Sequence, residues 1–303
     1  MQNTRRGFIK TTLAATAALT GSQLPGCAEH HGKKKENEPR FQISLAQWSL
    51  NRTIRKGELK NIDFPKYAKE KFGILGVEYV NIYFKEHVKN MDYLKDLKNR
   101  ADGEGVRNVL IMCDREGQLG APKAAQRIQT VENHKKWVEA AKFIGCHTIR
   151  VNAGGPQGNK EELAKNVIDG LTQLSTFAKD FGINVTVENH GGLSSNGAWL
   201  ADVLKRVGME NCGSLPDFGN FHNYDRYKGI KELMPYAKGV SAKSREFNDK
   251  GDEVQTDYLK AMKLVADAGY KGYVGIEFEG NKHGEHEGIL ATKKLLERII
   301  PQL

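Results

Sequence analysis

A chain of 303 residues, 39% hydrophobic and 27% charged, can bury the core of one large α/β domain and is too mixed for a fibrous or low-complexity protein. Its formal charge of +9 falls to +5 once residues 1–40, with seven Lys/Arg and three acids, are set aside. That residue of charge is scattered along helical faces and does not indicate a nucleic-acid partner. Four cysteines with no C-x-x-C pair exclude a disulfide framework and a thiolate zinc site, so Cys113, Cys146 and Cys212, in or beside apolar strands, are expected as buried free thiols.

The chain opens with Thr4-Arg5-Arg6-Gly7-Phe8-Ile9-Lys10 before a short apolar run, Leu13 to Leu19, too short to span a bilayer. This resembles a twin-arginine export signal, and Leu24-Pro25-Gly26-Cys27 resembles a lipobox. Residues 1–27 are therefore expected to direct export, with a lipid anchor at Cys27 and a periplasmic or membrane-anchored location. Residues 28–40 (AEHHGKKKENEPR) carry nothing to bury and read as a polar tether.

From Phe41 to the end, strand and helix patterns alternate. The strands expected are Phe41–Gln47, Gly76–Tyr83, Val106–Met112, Thr148–Asn152, Ile183–Asn189, Gly213–Asp217, Gly239–Lys243 and Tyr273–Phe278. A helical pattern follows each, the longest being Lys123–Ile144 and Lys160–Phe181, and the loops between are short and glycine-rich. Eight strand–helix units in residues 41–303 have the size and order of a single (β/α)8 TIM barrel. A doubly wound sheet would need a glycine-rich turn after its first strand, and AQWSLN holds no glycine.

Barrel enzymes work at the C-terminal ends of their strands, which sorts the polar residues without further information. The ends bring Trp48; Glu78; Asn152; Glu188, Asn189 and His190; Asp217 and His222; Lys243 and Arg245; and Glu277 and Glu279. Glu188, Asp217 and Glu277 come from three different strands. Brought to one mouth they repel unless a cation or a proton lies between them. A divalent metal resolves this, and oxygen ligands suit Mn²⁺ or Mg²⁺, with Co²⁺ and Zn²⁺ the other ions considered.

The pieces VENHGG, LPDFGN, VSAKSREF and GYVGIEFEG, supported by GVEYVN and GCHTIRVN, give the barrel a resemblance to a known group. It resembles the sugar phosphate isomerase/epimerase group of the xylose isomerase-like superfamily. The resemblance implies a metal held by Glu, Asp, His and Glu from strands five to eight, which match Glu188, Asp217 and Glu277 here. The histidine's place is taken by Ser241, so the fourth ligand is a water, or His190 or His222.

The chemistry implied is proton abstraction next to a sugar carbonyl. Glu188 and Glu277 would be the acid–base pair, and Lys243 an acid or electrostatic clamp. His190, Asn152, Arg245, Trp48, Glu78 and His222 would contact the sugar. A small unphosphorylated sugar or keto-sugar is the expected substrate, and a homodimer is a further expectation. The other readings are elimination on a 3-keto-glycoside, a related endonuclease, and a non-catalytic carbohydrate-binding lipoprotein.

Overall fold

The computed structural model describes residues 40–303 apart from Gln157. The export signal, the lipobox at Cys27 and the tether fall almost wholly on residues 1–39, outside the described residues. Eight strands are present: β1 (Phe41–Ala46), β2 (Gly76–Val80), β3 (Arg107–Met112), β4 (Thr148–Val151), β5 (Asn184–Glu188), β6 (Cys212–Leu215), β7 (Val240–Ser244) and β8 (Gly272–Phe278). They pair in parallel in the order β6-β5-β4-β3-β2-β1-β8-β7.

Between β6 and β7 the barrel closes through parallel bridges, Ser214 with Ala237 and Asp217 with Ser241. The Ser241 N–H donates to the Pro216 carbonyl at 2.9 Å, and the Phe218 N–H donates to the Ser241 carbonyl at 3.0 Å. The expected (β/α)8 barrel is what the chain forms.

Each strand has two faces because side chains alternate. Outward residues such as Val77, Ile149, Val185, Val187, Ala242 and Ile276 are buried against the helices. The Lys160–Asp180 helix meets them with Leu163, Val167, Leu171, Leu174 and Ala178, a stripe at helical spacing, and starts at Asn159, whose side chain accepts from the Glu161 and Glu162 amides. Each such leucine contributes roughly 1.5–3 kcal/mol by leaving water. Ala46, Val80, Leu110, Met112 and Leu215 form a second, separate cluster.

Several strands end earlier than their apolar patterns suggest. β6 stops at Leu215 because Pro216 has no N–H for the ladder, so a turn, not a strand end, delivers Asp217. β2 stops at Val80, and Asn81–Tyr83 turns into a 3-10 helix. The Asn81 side chain holds that turn by accepting from the Asp114 N–H at 2.9 Å and donating to the Asp114 carbonyl at 3.0 Å. Among the described residues no helix is long and apolar enough to cross a membrane, and Cys113, Cys146 and Cys212 are buried and free.

Candidate active site

Glu188 ends β5 with its carboxylate fully buried. Its Oε1 accepts from Asn220 Nδ2 at 3.0 Å. Its Oε2 lies 3.0 Å from Arg150 Nε, but the two are not aligned for a hydrogen bond, so the contact is Coulombic and both atoms stay without a hydrogen-bond partner. Arg150, from β4, also donates through Nη1 to Asp114 at 2.7 Å. Asn152 joins that pair by donating to the same Asp114 oxygen at 2.9 Å.

Asp217 is held by its own turn. Its Oδ1 accepts from the Gly219 and Asn220 amides at 2.7 and 2.9 Å. Asn189 clamps the Asp217 backbone from both sides, accepting from its N–H at 2.8 Å and donating to its carbonyl at 2.9 Å.

Ser241 stands between Asp217 and Glu277. Its hydroxyl is 2.8 Å from Asp217 Oδ2 and 3.0 Å from Glu277 Oε2. One hydroxyl has one proton, so it serves one carboxylate at a time. The second contact calls for a further proton or cation.

Lys243, on β7, is 1% exposed, and its Nζ lies 3.4 Å from Asp217, 3.5 Å from Glu277 and 3.2 Å from Glu279. Gly219 makes this approach feasible, because a Cβ there would sit 2.9 Å from the lysine Cγ. Glu279 Oε1 accepts from Trp48 Nε1 at 2.6 Å, and its Oε2 lies 3.4 Å from Arg245 Nη2. Trp48 stacks on Tyr83 at 6.5 Å and lies under the Arg55 guanidinium at 5.1 Å.

Burial opposes charge throughout this centre, and the neighbours decide the outcome. Burial pushes the Asp217 and Glu277 carboxyls up, with Lys243 the main opposing influence. At Glu279 burial acts the same way but Lys243, Arg245 and Trp48 outweigh it, holding the carboxyl below its usual range. Asp114 is likewise held low against burial, by Arg150 and Asn152. Lys243 is pushed up despite burial, by Asp217 first and then Glu277, so it stays an ammonium.

Glu78 departs from the sequence expectation that it would contact the sugar. It lies within the barrel, 2% exposed, and is hydrogen-bonded by Ser44 at 2.6 Å while its Oε2 has no partner. A Cβ on Gly275 would overlap its carboxyl, which puts Glu78 one strand layer beneath Glu277. Burial raises it to about 8. It therefore belongs to the floor of the site.

His190 and His222 are both exposed. Neither joins the three carboxylates, the only described His, Cys, Asp or Glu side chains whose ligand atoms converge there, all within 4.8 Å of one another. The expectation that either histidine could be the fourth ligand is not met by this arrangement. His190 stays near enough to Asp114 to favour its charge. Asp114, Arg150, Asn189 and Glu279 stand at strand ends visible in the sequence but were given no role there, and Ser241 was read only as standing in the place of a histidine. Polar Thr148, Arg150 and Asn152 recurring at every second position of an apolar strand was the available signal for Arg150.

The donor set can be tested against a divalent ion. Opposed ligands of a small hard cation stand about 4.2 Å apart, from bond lengths of about 2.1 Å. One carboxylate oxygen from each of Glu188, Asp217 and Glu277 lies within 4.8 Å of the others, close to that span. Counting Glu78 as protonated, five carboxylates (Asp114, Glu188, Asp217, Glu277, Glu279) face three cations (Arg150, Lys243, Arg245), leaving two negative charges. Glu188 Oε2 is a buried acceptor with no hydrogen bond, its only charged contact being Arg150 Nε at 3.0 Å. An oxygen-seeking dication fits all three observations.

These features define a parallel (β/α)8 barrel with a buried, cation-compensated acidic centre at the ends of β5 to β8. The model of the xylose isomerase-like TIM barrel family matches residues 69–299, and the chain belongs to that family. A putative hydroxypyruvate isomerase of Mus musculus is 25% identical, the match covering 60% of this chain and 73% of the mouse protein. The structure of an IolI protein with a bound zinc atom superimposes with a TM-score of 0.67 at 17% identity, covering 86% of this chain and 98% of that one. The 3-keto-D-glucoside 4-epimerase of E. coli superimposes with a TM-score of 0.65 at 14% identity, covering 86% of this chain and all (100%) of that one.

Proposed function

We propose that this protein is a divalent-metal-dependent isomerase or epimerase that moves a proton next to the carbonyl of an unphosphorylated sugar or keto-sugar. The observation that carries the reading is the convergence of Glu188 and Glu277 from β5 and β8 on one buried point, with Asp217 and Lys243 between them. The family and the isomerase and epimerase names of its relatives support it.

Glu188, Asp217 and Glu277 would hold the metal, with Ser241 lending at most a neutral hydroxyl. When bound, such an ion supplies a Lewis acid that polarises the sugar carbonyl and stabilises negative charge on its oxygen. The residues do the rest. Glu188, beside the Arg150 guanidinium, takes the proton from the carbon next to the carbonyl, and the C–H electron pair moves onto the carbonyl oxygen. Glu277, from β8 across the same point, would return a proton to the opposite face. Lys243 stays charged and so serves as a fixed cation facing the developing oxyanion. Arg245 and Asn152 would donate to hydroxyls, and Trp48 would cover a ring face.

The test is metal content of the purified protein together with deuterium uptake from heavy water into a panel of free keto-sugars and 3-keto-glucosides. Stoichiometric metal and uptake into one sugar are expected. Glu277→Gln should lower uptake by about 10²–10⁴-fold while the far-UV spectrum is unchanged. A metal-free protein that binds sugar and exchanges nothing would leave a carbohydrate-binding protein. An eliminated product in place of an exchanged one would make it a lyase.

A further inference from the structure

Lys243 faces the same oxygens that a divalent ion would use. Asp217 Oδ1 is taken by the Gly219 and Asn220 amides, which leaves Oδ2 for an ion. The Lys243 ammonium lies 3.4 Å from that Oδ2 and 3.5 Å from Glu277 Oε1. Glu279 is not one of the three converging carboxylates, yet its Oε2 is the nearest to the ammonium, at 3.2 Å. We propose that Lys243 is a resident counter-ion that competes with the divalent ion for Asp217 and Glu277, and that Glu279 is the seat to which the ammonium withdraws when the ion loads. The inference rests on the metal site of the function proposed above and concerns how that site fills.

The ammonium is committed to none of its three partners. A charge-assisted N–H···O contact is about 2.7–2.9 Å long, whereas all three here lie between 3.2 and 3.5 Å. The rest of the residue is held. A Cβ on Gly219 would lie 2.9 Å from Lys243 Cγ and 3.0 Å from its Cδ, so the stem fills the gap at that glycine. The Tyr258 hydroxyl donates to the Lys243 carbonyl at 2.9 Å and pins the backbone. What stays free is the end of the side chain, which has alternative staggered wells.

Glu279 is built to receive that end. It follows Glu277 by two residues, one layer nearer the mouth, and its N–H donates to the Ser244 carbonyl at 2.9 Å. Its Oε1 accepts from Trp48 Nε1 at 2.6 Å, which leaves Oε2 for Lys243 and Arg245. The Glu279 side chain is 26% exposed, against 0% for Asp217 and 4% for Glu277. An ammonium drawn toward Glu279 therefore regains water, and a flexible stem that carries its charge toward water is how lysine tolerates burial.

Charge makes the two occupants exclusive. Two cations on one carboxylate oxygen repel, and more strongly in a buried site than in water. The ion brings two charges to the ammonium's one, so it prevails once concentrated enough, at an affinity that the lysine lowers. When the ion leaves, the ammonium returns and Asp217 and Glu277 do not face one another unpaired.

Manganese alone tests this. The purified protein, stripped with a chelator, would be titrated with Mn²⁺ by calorimetry as the parent, Lys243→Met, Glu279→Gln and the double variant. Lys243→Met should bind Mn²⁺ about tenfold tighter than the parent or more. Glu279→Gln should bind it about tenfold more weakly, because the ammonium is left with only the ion's own ligands. In the Lys243→Met background that loss should shrink to about twofold or less, since Glu279 acts through the lysine.

A Lys243→Met affinity no tighter than the parent's overturns the competition. An equal loss from Glu279→Gln in both backgrounds overturns the seat, because Glu279 then acts through its own charge. Should Lys243→Met fold only with Mn²⁺ present, its urea midpoint at two Mn²⁺ concentrations reads the same affinity. Should it not fold at all, Lys243→Gln takes its place in the cycle. No Mn²⁺ binding by the parent or by any variant takes down the metal site itself.

Discussion

The lumen of the barrel has two sides built on opposite rules. Ala46, Val80, Leu110 and Met112 line the β1–β3 side with apolar groups, and Leu215 joins them. The β4–β8 side presents Arg150, Glu188, Asp217, Ser241, Lys243 and Glu277, all buried. The difference shows what burial demands of a carboxyl. On the apolar side Glu78 has one hydroxyl for a partner and rises to about 8, which makes it a neutral acid near neutrality. On the polar side the same group keeps its charge in proportion to its neighbours. Glu279, with Lys243, Arg245 and Trp48, is held low, whereas Glu277, with Lys243 and a shared serine hydroxyl, still leans upward. The apolar half also keeps water away, which strengthens every pair opposite.

Three substitutions sharpen or break this comparison. The largest effect is expected at Lys243. Replacing it by methionine keeps the stem and removes the ammonium from three carboxylates, which should cost about 3–5 kcal/mol of unfolding free energy in urea titrations at neutral pH. A loss below about 1 kcal/mol would mean that the acids are already neutral and that the polar side does not depend on its charges.

Glu78 comes next, through pH. Its folded value is raised to about 8 from an ordinary 4.5, so between these values the folded chain holds a proton that the unfolded chain has released. Stability from this group is therefore complete below about 4.5 and falls as pH rises, by roughly 1.4 kcal/mol per pH unit, until about 8. Glu78→Gln keeps an acceptor for Ser44 and cannot ionise. Melting curves from pH 5 to 9 should show the variant gaining on the parent up to about pH 8, then running parallel. Parallel curves throughout would place Glu78 in contact with water or a cation.

The smallest effect is expected from Ser241→Ala, which removes one hydroxyl shared by Asp217 and Glu277. It should cost about 1 kcal/mol, read by the same urea titration. A cost approaching that of Lys243→Met would make the hydroxyl, not the ammonium, the principal bond across the β6–β7 closure.

Much of the fold was legible because it rests on local rules. Alternation marked all eight strands, and the polar tips marked Glu188, Asp217, Lys243 and Glu277 as facing one end. The misreadings have a common cause. Glu78 is separated from Glu277 by depth along the barrel axis, which a list of strand ends cannot express. His190 and His222 follow the right strands but lie outside the carboxylate cluster in which either was expected as the fourth ligand. Arg150 was visible as a strand-four residue, but its partners Glu188 and Asp114 come from two other strands.

The sequence by itself determined the element order, the barrel class and the strand ends at which acids gather, because side-chain period and turn chemistry are properties of neighbouring residues. Only the tertiary structure decided which acid is paired, shared or neutral. Charge state depends on burial and on groups brought within a few ångströms from other strands. Lys243 reaching three acids through the gap at Gly219 exists only once the barrel closes.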